Sequence, residues 1–174
     1  MNLTDIISNA EWFRLEKKIN ERFSLNTCIF DTDGYRLTEH QKWPNRLCPA
    51  IKANPKGQSF ICAVAHMNIA IQAQRSRRPV IEACDAGLMK AVVPIFWKDE
   101  FVGAVGSCGF LQDDEEVDTF LINKVTGIDE AEIIALSDDI PRVSLEQAQR
   151  LNDHIRRQLQ CVIDGLESEK GSSL

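Results

Sequence analysis

RLCPAIKANPKGQSFICAVAHMNIAIQAQRSRRPVIEACDAGLMKAVVPIFWKDEFVGAVGSCGFL, Arg46 to Leu111, sets the layout of this chain and holds four of its six cysteines: Cys48, Cys62, Cys84 and Cys108. Within it, Ile61, Ala65, Ile69 and Ala73 recur at helical intervals and predict a helix from Gln58 to Gln74 behind an Asn-Pro-Lys-Gly stop. Cys62 and His66 form an i, i+4 pair on the neighbouring face of that helix, close enough to share one ligand. Three strands follow: Pro79–Cys84, Ala91–Trp97 and Phe101–Gly106, with Lys98-Asp99-Glu100 as the tight turn between the last two. Pro94 demotes its strand towards an edge or a bulge, because proline lacks the ladder donor. The glycines at 103, 106 and 109 predict close backbone approach, by a neighbouring element or by a ligand. GAVGSCG superficially resembles a dinucleotide loop, but no suitable helix follows it, and that reading is rejected.

Upstream, Ser8 and Glu11 have capping-box spacing, and Trp12, Leu15, Ile19 and Phe23 predict an amphipathic helix over about Asn9–Arg22. A β-hairpin is expected next, Asn26–Asp31 and Tyr35–Thr38 joined at Asp33-Gly34. Its Asp31–Gly34 start is no calcium loop, since Lys42 stands where the twelfth-position glutamate belongs. His40–Pro44 reads as loop, and Leu47–Lys52 as a short helical turn. Downstream, helices are predicted over Asp113–Val125, Asp129–Leu136 and about 144–167. Ala148, Leu151, Ile155, Leu159, Val162 and Leu166 form a coiled-coil-like seam on the last helix, suited either to the domain's own sheet or to dimerisation. Glu169–Leu174 reads as a frayed polar tail.

The bulk properties exclude several classes. A length of 174 residues fits a single domain, 1–174, with a core over about 9–137. The net charge of -6 argues against nucleic acid, and the one basic run, Arg75, Arg77 and Arg78, falls at a predicted helix C-terminus where it complements the dipole. No secretory leader and no membrane-spanning apolar run is visible, so a cytoplasmic, membrane-free protein with reduced thiols is expected. In that setting six cysteines point to metal, cluster or redox chemistry, or to buried small hydrophobes, rather than to disulfides. The element order predicts an α+β fold: an antiparallel sheet of about five strands with helices packed on it.

That layout is similar to PAS and GAF sensory modules, and the segment resembles a PocR-type ligand-sensing domain. Leu47-Cys48 stands at the family's aromatic-Cys step, Cys62 at the helix start after a Pro-Gly loop, and Cys84-Asp85-Ala86-Gly87-Leu88 at its Cys-His-Ala-Gly-Leu motif. Val93-Pro94-Ile95 and the Gly-rich Val102–Gly106 follow in order, and the likeness runs over residues 3 to 165. Asp85 departs from the family histidine and Leu47 from its phenylalanine. The resemblance implies a PAS-like, non-enzymatic sensor of small molecules. With no room for an attached output domain, output is expected through a homodimer or a separate signalling protein, such as a kinase or regulator.

Convergence of these landmarks predicts one cysteine-lined site. Cys48, Cys62, Cys84 and Cys108 are the candidate ligands or cofactor contacts, with His66 an alternative fourth metal ligand. Thiolates suit zinc or an iron–sulfur cluster, although no Cys-x-x-Cys pair is present. A small organic ligand held without metal, and inert core thiols, are the other readings. Cys28 and Cys161 read as inert, and Phe60, Met67, Met89 and Phe110 as pocket wall or ordinary core. Two functional alternatives stand beside the sensor: a thiol-based redox enzyme of GAF-like fold, and a structural adaptor.

Overall fold

A computed structural model describes residues 1–171, with side-chain surroundings through Gly165. The Ser8–Glu11 capping box forms, with Ser8 N donating to Glu11 Oε2 at 2.9 Å, and opens α1 (Asn9–Phe23). Its buried stripe is Trp12, Leu15, Glu16 and Ile19, and Ser24 ends it in the left-handed region at φ 55°. β1 (Asn26–Phe30) leads into the expected turn, where Asp31 Oδ1 accepts from Asp33 N and Tyr35 N.

The second strand of that hairpin does not form: Tyr35–Thr38 contributes a single bridge, Phe30 to Arg36. The cause lies on α1. Glu16 is buried there, and its carboxylate accepts from Ile29 N at 2.6 Å and from Thr38 Oγ1. Leu37 N takes Ile29 O at 2.9 Å. The outer edge of β1 is thus closed by a side chain and one loop contact rather than by a further strand.

Beyond the loop come α2 (Leu47–Ala53), the single turn α3 (Pro55–Gly57), a π-helical turn (Gln58–Ala63) and α4 (Val64–Ser76). The strands β2 (Val80–Ala83), β3 (Met89–Trp97) and β4 (Glu100–Phe110) follow, then α5 (Thr119–Thr126), α6 (Glu130–Leu136) and α7 (Leu145–Gly171). The sheet has four antiparallel strands in the order β1-β4-β3-β2, against the roughly five expected. Pro94 lies in a central strand, but β2 pairs only with Met89–Val92, so β3 has a single neighbour at Pro94. A register irregularity follows at Ile95/Phe96.

The helix expected from Asp113 starts only at Thr119, capped by Asp118 Oδ1 on Leu121 N. Residues 113–117 are held outside the helix by Arg142, whose Nη1 donates to the carbonyls of Gln112, Asp113 and Glu115. The last helix reaches Gly171, past the expected end; the rest of the tail lies outside the described residues.

Helices cover both faces of the sheet. On one, α1 and α7 enclose Trp12, Leu15, Ile19, Ile29, Val93, Val105 and Phe110. Ala148, Leu151, Ile155 and Leu159 of the seam are consumed in this core, while Leu166 lies outside the described side chains. On the other face, Ala65, Ile69 and Ala73 of α4 meet Val92 and Ala104. A third cluster under α2, α5 and α6 contains Leu47, Ile51, Ile61, Leu111, Ile122 and Ile133. The basic run is used structurally: Arg77 pairs with Asp99 at 2.8 Å and lies 4.1 Å over the Phe96 ring. No described helix is long and apolar enough to cross a membrane.

Candidate functional site

Between the second sheet face and the α2–α4 layer lies a cavity of about 430 Å³. Its floor follows from strand alternation. Asn26, Cys28 and Phe30 of β1 point to this side while Thr27 and Ile29 face away, and Asn26 and Lys90 both stand opposite Cys108 in the ladder. The helical wall carries Cys48 from α2, Cys62 from the π-helical turn and His66 from α4. Cys84, at the β2–β3 turn, closes one end, and the 33–36 turn with Trp43 and Lys52 forms the rim.

Local chemistry sets each of these positions. Asn45 fastens the start of α2 to β4: its Oδ1 accepts from Cys48 N at 2.7 Å, and its Nδ2 donates to Gly109 O at 2.9 Å. The same Nδ2 lies 3.4 Å from Cys48 Sγ. Gly109 adopts φ +95°, and a Cβ there would lie 2.7 Å from Pro44 Cγ, so only glycine lets this loop reach β4. At Gly103 a Cβ would meet Phe30 O at 2.3 Å. The glycines expected to admit a close neighbour therefore admit other elements of the fold. Cys62 and His66 share the cavity as their spacing predicts, on a helix whose π-turn shifts the face it presents. Cys84 opens a turn in which Gly87 N donates to Cys84 O at 2.8 Å and Cys84 N to Leu88 O at 2.8 Å.

Burial governs the ionisation of these groups. It raises the thiol pKa of Cys28 to about 12 and of Cys62 to about 11, and lifts those of Cys48 and Cys84 as well. Mutual repulsion adds to this: Cys108, Cys84 and Cys62 all oppose ionisation of Cys48. These four are held as neutral thiols at pH 7. His66, 6% exposed, stacks on Phe30 with ring centroids 3.6 Å apart, and its Nδ1 and Nε2 are both without a hydrogen-bond partner. Desolvation, with Lys90, Lys52 and Arg36 behind it, lowers its pKa to about 3.

A pH prediction follows from His66. The unfolded chain takes up a proton near 6.5 while the folded one resists until about 3, so folding stability falls as pH drops through that interval. The loss approaches about 1.4 kcal/mol per pH unit. His66→Phe, which keeps the ring on Phe30, should flatten this acid limb in urea titrations between pH 6.5 and 4. An unchanged slope would refute the assignment.

All four cysteines expected at the site and His66 are brought to one cavity. Zinc or an iron–sulfur centre fits the soft donors, but the geometry does not supply a ligand set: among the described residues no three His, Cys, Asp or Glu side chains stand together as a metal-binding group. Asp85, at the family's histidine position, is exposed and outside the lining. Met67 and Met89 line the cavity, Phe60 is exposed, and Phe110 belongs to the opposite core. Cys161 is exposed on α7. Sequence reasoning missed Cys28, Phe30, Arg36 and Lys90. The period-2 spacing of 26, 28 and 30 and the lone lysine in the apolar run of β3 were the available signals.

A family model described as the sensory domain found in PocR matches residues 5–165. No curated protein matches the chain. Among solved structures, the GAF domain/HD domain protein from Geobacter sulfurreducens is similar over 96% of this chain and 99% of that one, at 11% identity and a TM-score of 0.41.

Proposed function

We propose that this chain, which belongs to the family of PocR sensory domains, senses a small organic molecule bound among the thiols between the sheet and α4. One observation carries the reading: a cavity of about 430 Å³, within the usual range for small-molecule sites, gathers five of the six cysteines and several unpartnered buried polar atoms. Those atoms are His66 Nδ1 and Nε2, Arg36 Nε and Nη1, and Gln58 Oε1. Buried polar groups without partners are costly, and a ligand that satisfies them is stabilised accordingly.

The route outward is short. Lys90 faces the cavity while its neighbour Ala91 faces α1 and α7, so ligand contact on β3 biases the packing of the signalling helices. The reader of that shift is a separate signalling protein such as a kinase or regulator, engaged through the α7 segment beyond Leu159. Burial of Cys48, Cys62 and Cys84 as neutral thiols speaks against a nucleophilic redox enzyme.

The test is to purify the protein anaerobically, denature it, and analyse the released material by mass spectrometry and for metals, beside Ala63→Phe. That variant narrows the cavity from the helical wall. A released organic compound, absent from Ala63→Phe, is the expected result; at 100 times Kd it would stabilise the fold by about 2.7 kcal/mol. Stoichiometric iron or zinc with no organic compound would replace this reading with a metal centre.

A further inference from the structure

We propose that the ligand carries a carboxylate, held at the Phe30 end of the cavity by Lys90, Arg36 and His66, with its apolar body against the thiols. The inference rests on the cavity being a ligand site and adds the chemical class.

The cavity is polarised. At one end Phe30, His66 and Lys90 cluster: the His66 ring lies on Phe30, and Lys90 Nζ is 5.3 Å from the centre of that same ring. Arg36 joins them from the rim, one Nη2 donating to His40 O while Nε and Nη1 stay buried and unpartnered. At the other end, Cys48, Cys62 and Cys84 sit against Ile51, Ile61 and Leu88, a soft and apolar surface.

Charge decides the class. Three cations, Arg36, Lys52 and Lys90, face the cavity against one carboxylate, Asp33, in a chain whose net charge is -6. Among the described residues none of the three forms an ion pair, and Lys90 is only 8% exposed. Lys90 reaches the cavity with only an aromatic face as its partner, and Arg36 brings two buried, unpartnered nitrogens, so a planar anion accepting from both answers the charge and the free N–H groups together. A diol or neutral amide would satisfy the hydrogen bonds and leave the charge unanswered. A neutral His66 donates one N–H and leaves its second nitrogen to accept from a hydroxyl on the same ligand.

Calorimetry on the full chain, with hexanoate and phenylacetate as probes and 1-hexanol and 2-phenylethanol as neutral partners, tests this. The acids should bind and the alcohols should bind about 10- to 100-fold more weakly, the difference a charge-assisted hydrogen bond makes. Lys90→Met should weaken the acids by a similar factor, with the melting temperature of the free protein unchanged or raised. Lys124→Met, an exposed lysine outside the cavity lining, should bind as the parent does. Alcohols binding as well as acids, or Lys90→Met leaving acid affinity intact, would overturn the carboxylate class and leave the cavity reading standing. Failure of both series would overturn the two together.

Discussion

Trp12→Ala is expected to lower the free energy of unfolding by about 3–5 kcal/mol, the range for truncating a fully buried aromatic. Trp12 has no exposed surface, and its Nε1 donates to Leu3 O at 2.9 Å. That bond holds the N-terminal turn over the sheet, where the Leu3 side chain fills the space that a Cβ on Gly103 would occupy. The substitution therefore opens a cavity in the layer that α1, α7 and the sheet share, and frees the turn that covers it. Set against a total of about 5–15 kcal/mol for a domain of this kind, the loss is a large part of the whole. Urea unfolding should show a lower midpoint at an unchanged slope. Trp43→Ala is the control: Trp43 is half-buried on the cavity rim beneath Lys52 Nζ at 5.4 Å, and its removal should cost about 1 kcal/mol or less. Equal losses for the two tryptophans would contradict the packing of α1 on the sheet.

Removal of the Glu16 side chain as Glu16→Ala should cost about 2–4 kcal/mol. It leaves Ile29 N–H and Thr38 Oγ1 without their acceptor at the unpaired edge of β1 and empties a fully buried site. Glu16→Gln keeps the shape and one acceptor oxygen, so its loss should be smaller. The two also differ from the parent in pH response. Burial raises the Glu16 pKa above 4.5, opposed by the hydrogen bonds from Thr38 and Ile29. A carboxyl whose folded value is raised contributes stability in full below its unfolded value and loses it as pH rises through the folded one. The parent should accordingly lose stability over the range just above pH 4.5 relative to Glu16→Gln. His66 acts with the opposite sign over the overlapping interval. Each contribution is read as parent minus variant, from urea midpoints at several pH values. A parent-minus-Gln difference that grows more favourable with rising pH would reverse the assignment for Glu16.

The helices were legible where local signals were complete. Ser8 and Glu11 cap α1 as their spacing requires, Ile61, Ala65, Ile69 and Ala73 turn inward along the helix that begins at Gln58, and the Lys98–Glu100 turn joins two long strands. The family motifs singled out Cys48, Cys62 and Cys84, and the same stretch offered Cys108 beside them; all four line the cavity. These features depend on neighbours within a turn or two of chain, so the sequence alone determined them.

Tertiary structure decided what depends on distant partners. Whether Tyr35–Thr38 would pair as a strand turned on Glu16, which lies 13 residues before Ile29 and reaches its N–H only once α1 has docked. Whether Asp113–Val117 would coil into helix turned on Arg142, whose guanidinium takes the carbonyls of that loop. The terminal seam could have served the sheet or a second chain, and burial of Ala148, Leu151, Ile155 and Leu159 against α1 and the sheet commits those positions to the domain itself. Cys28 and Lys90 became cavity residues for the same kind of reason: the face a strand residue occupies is set by register, and a register is a relation between strands that no single segment carries.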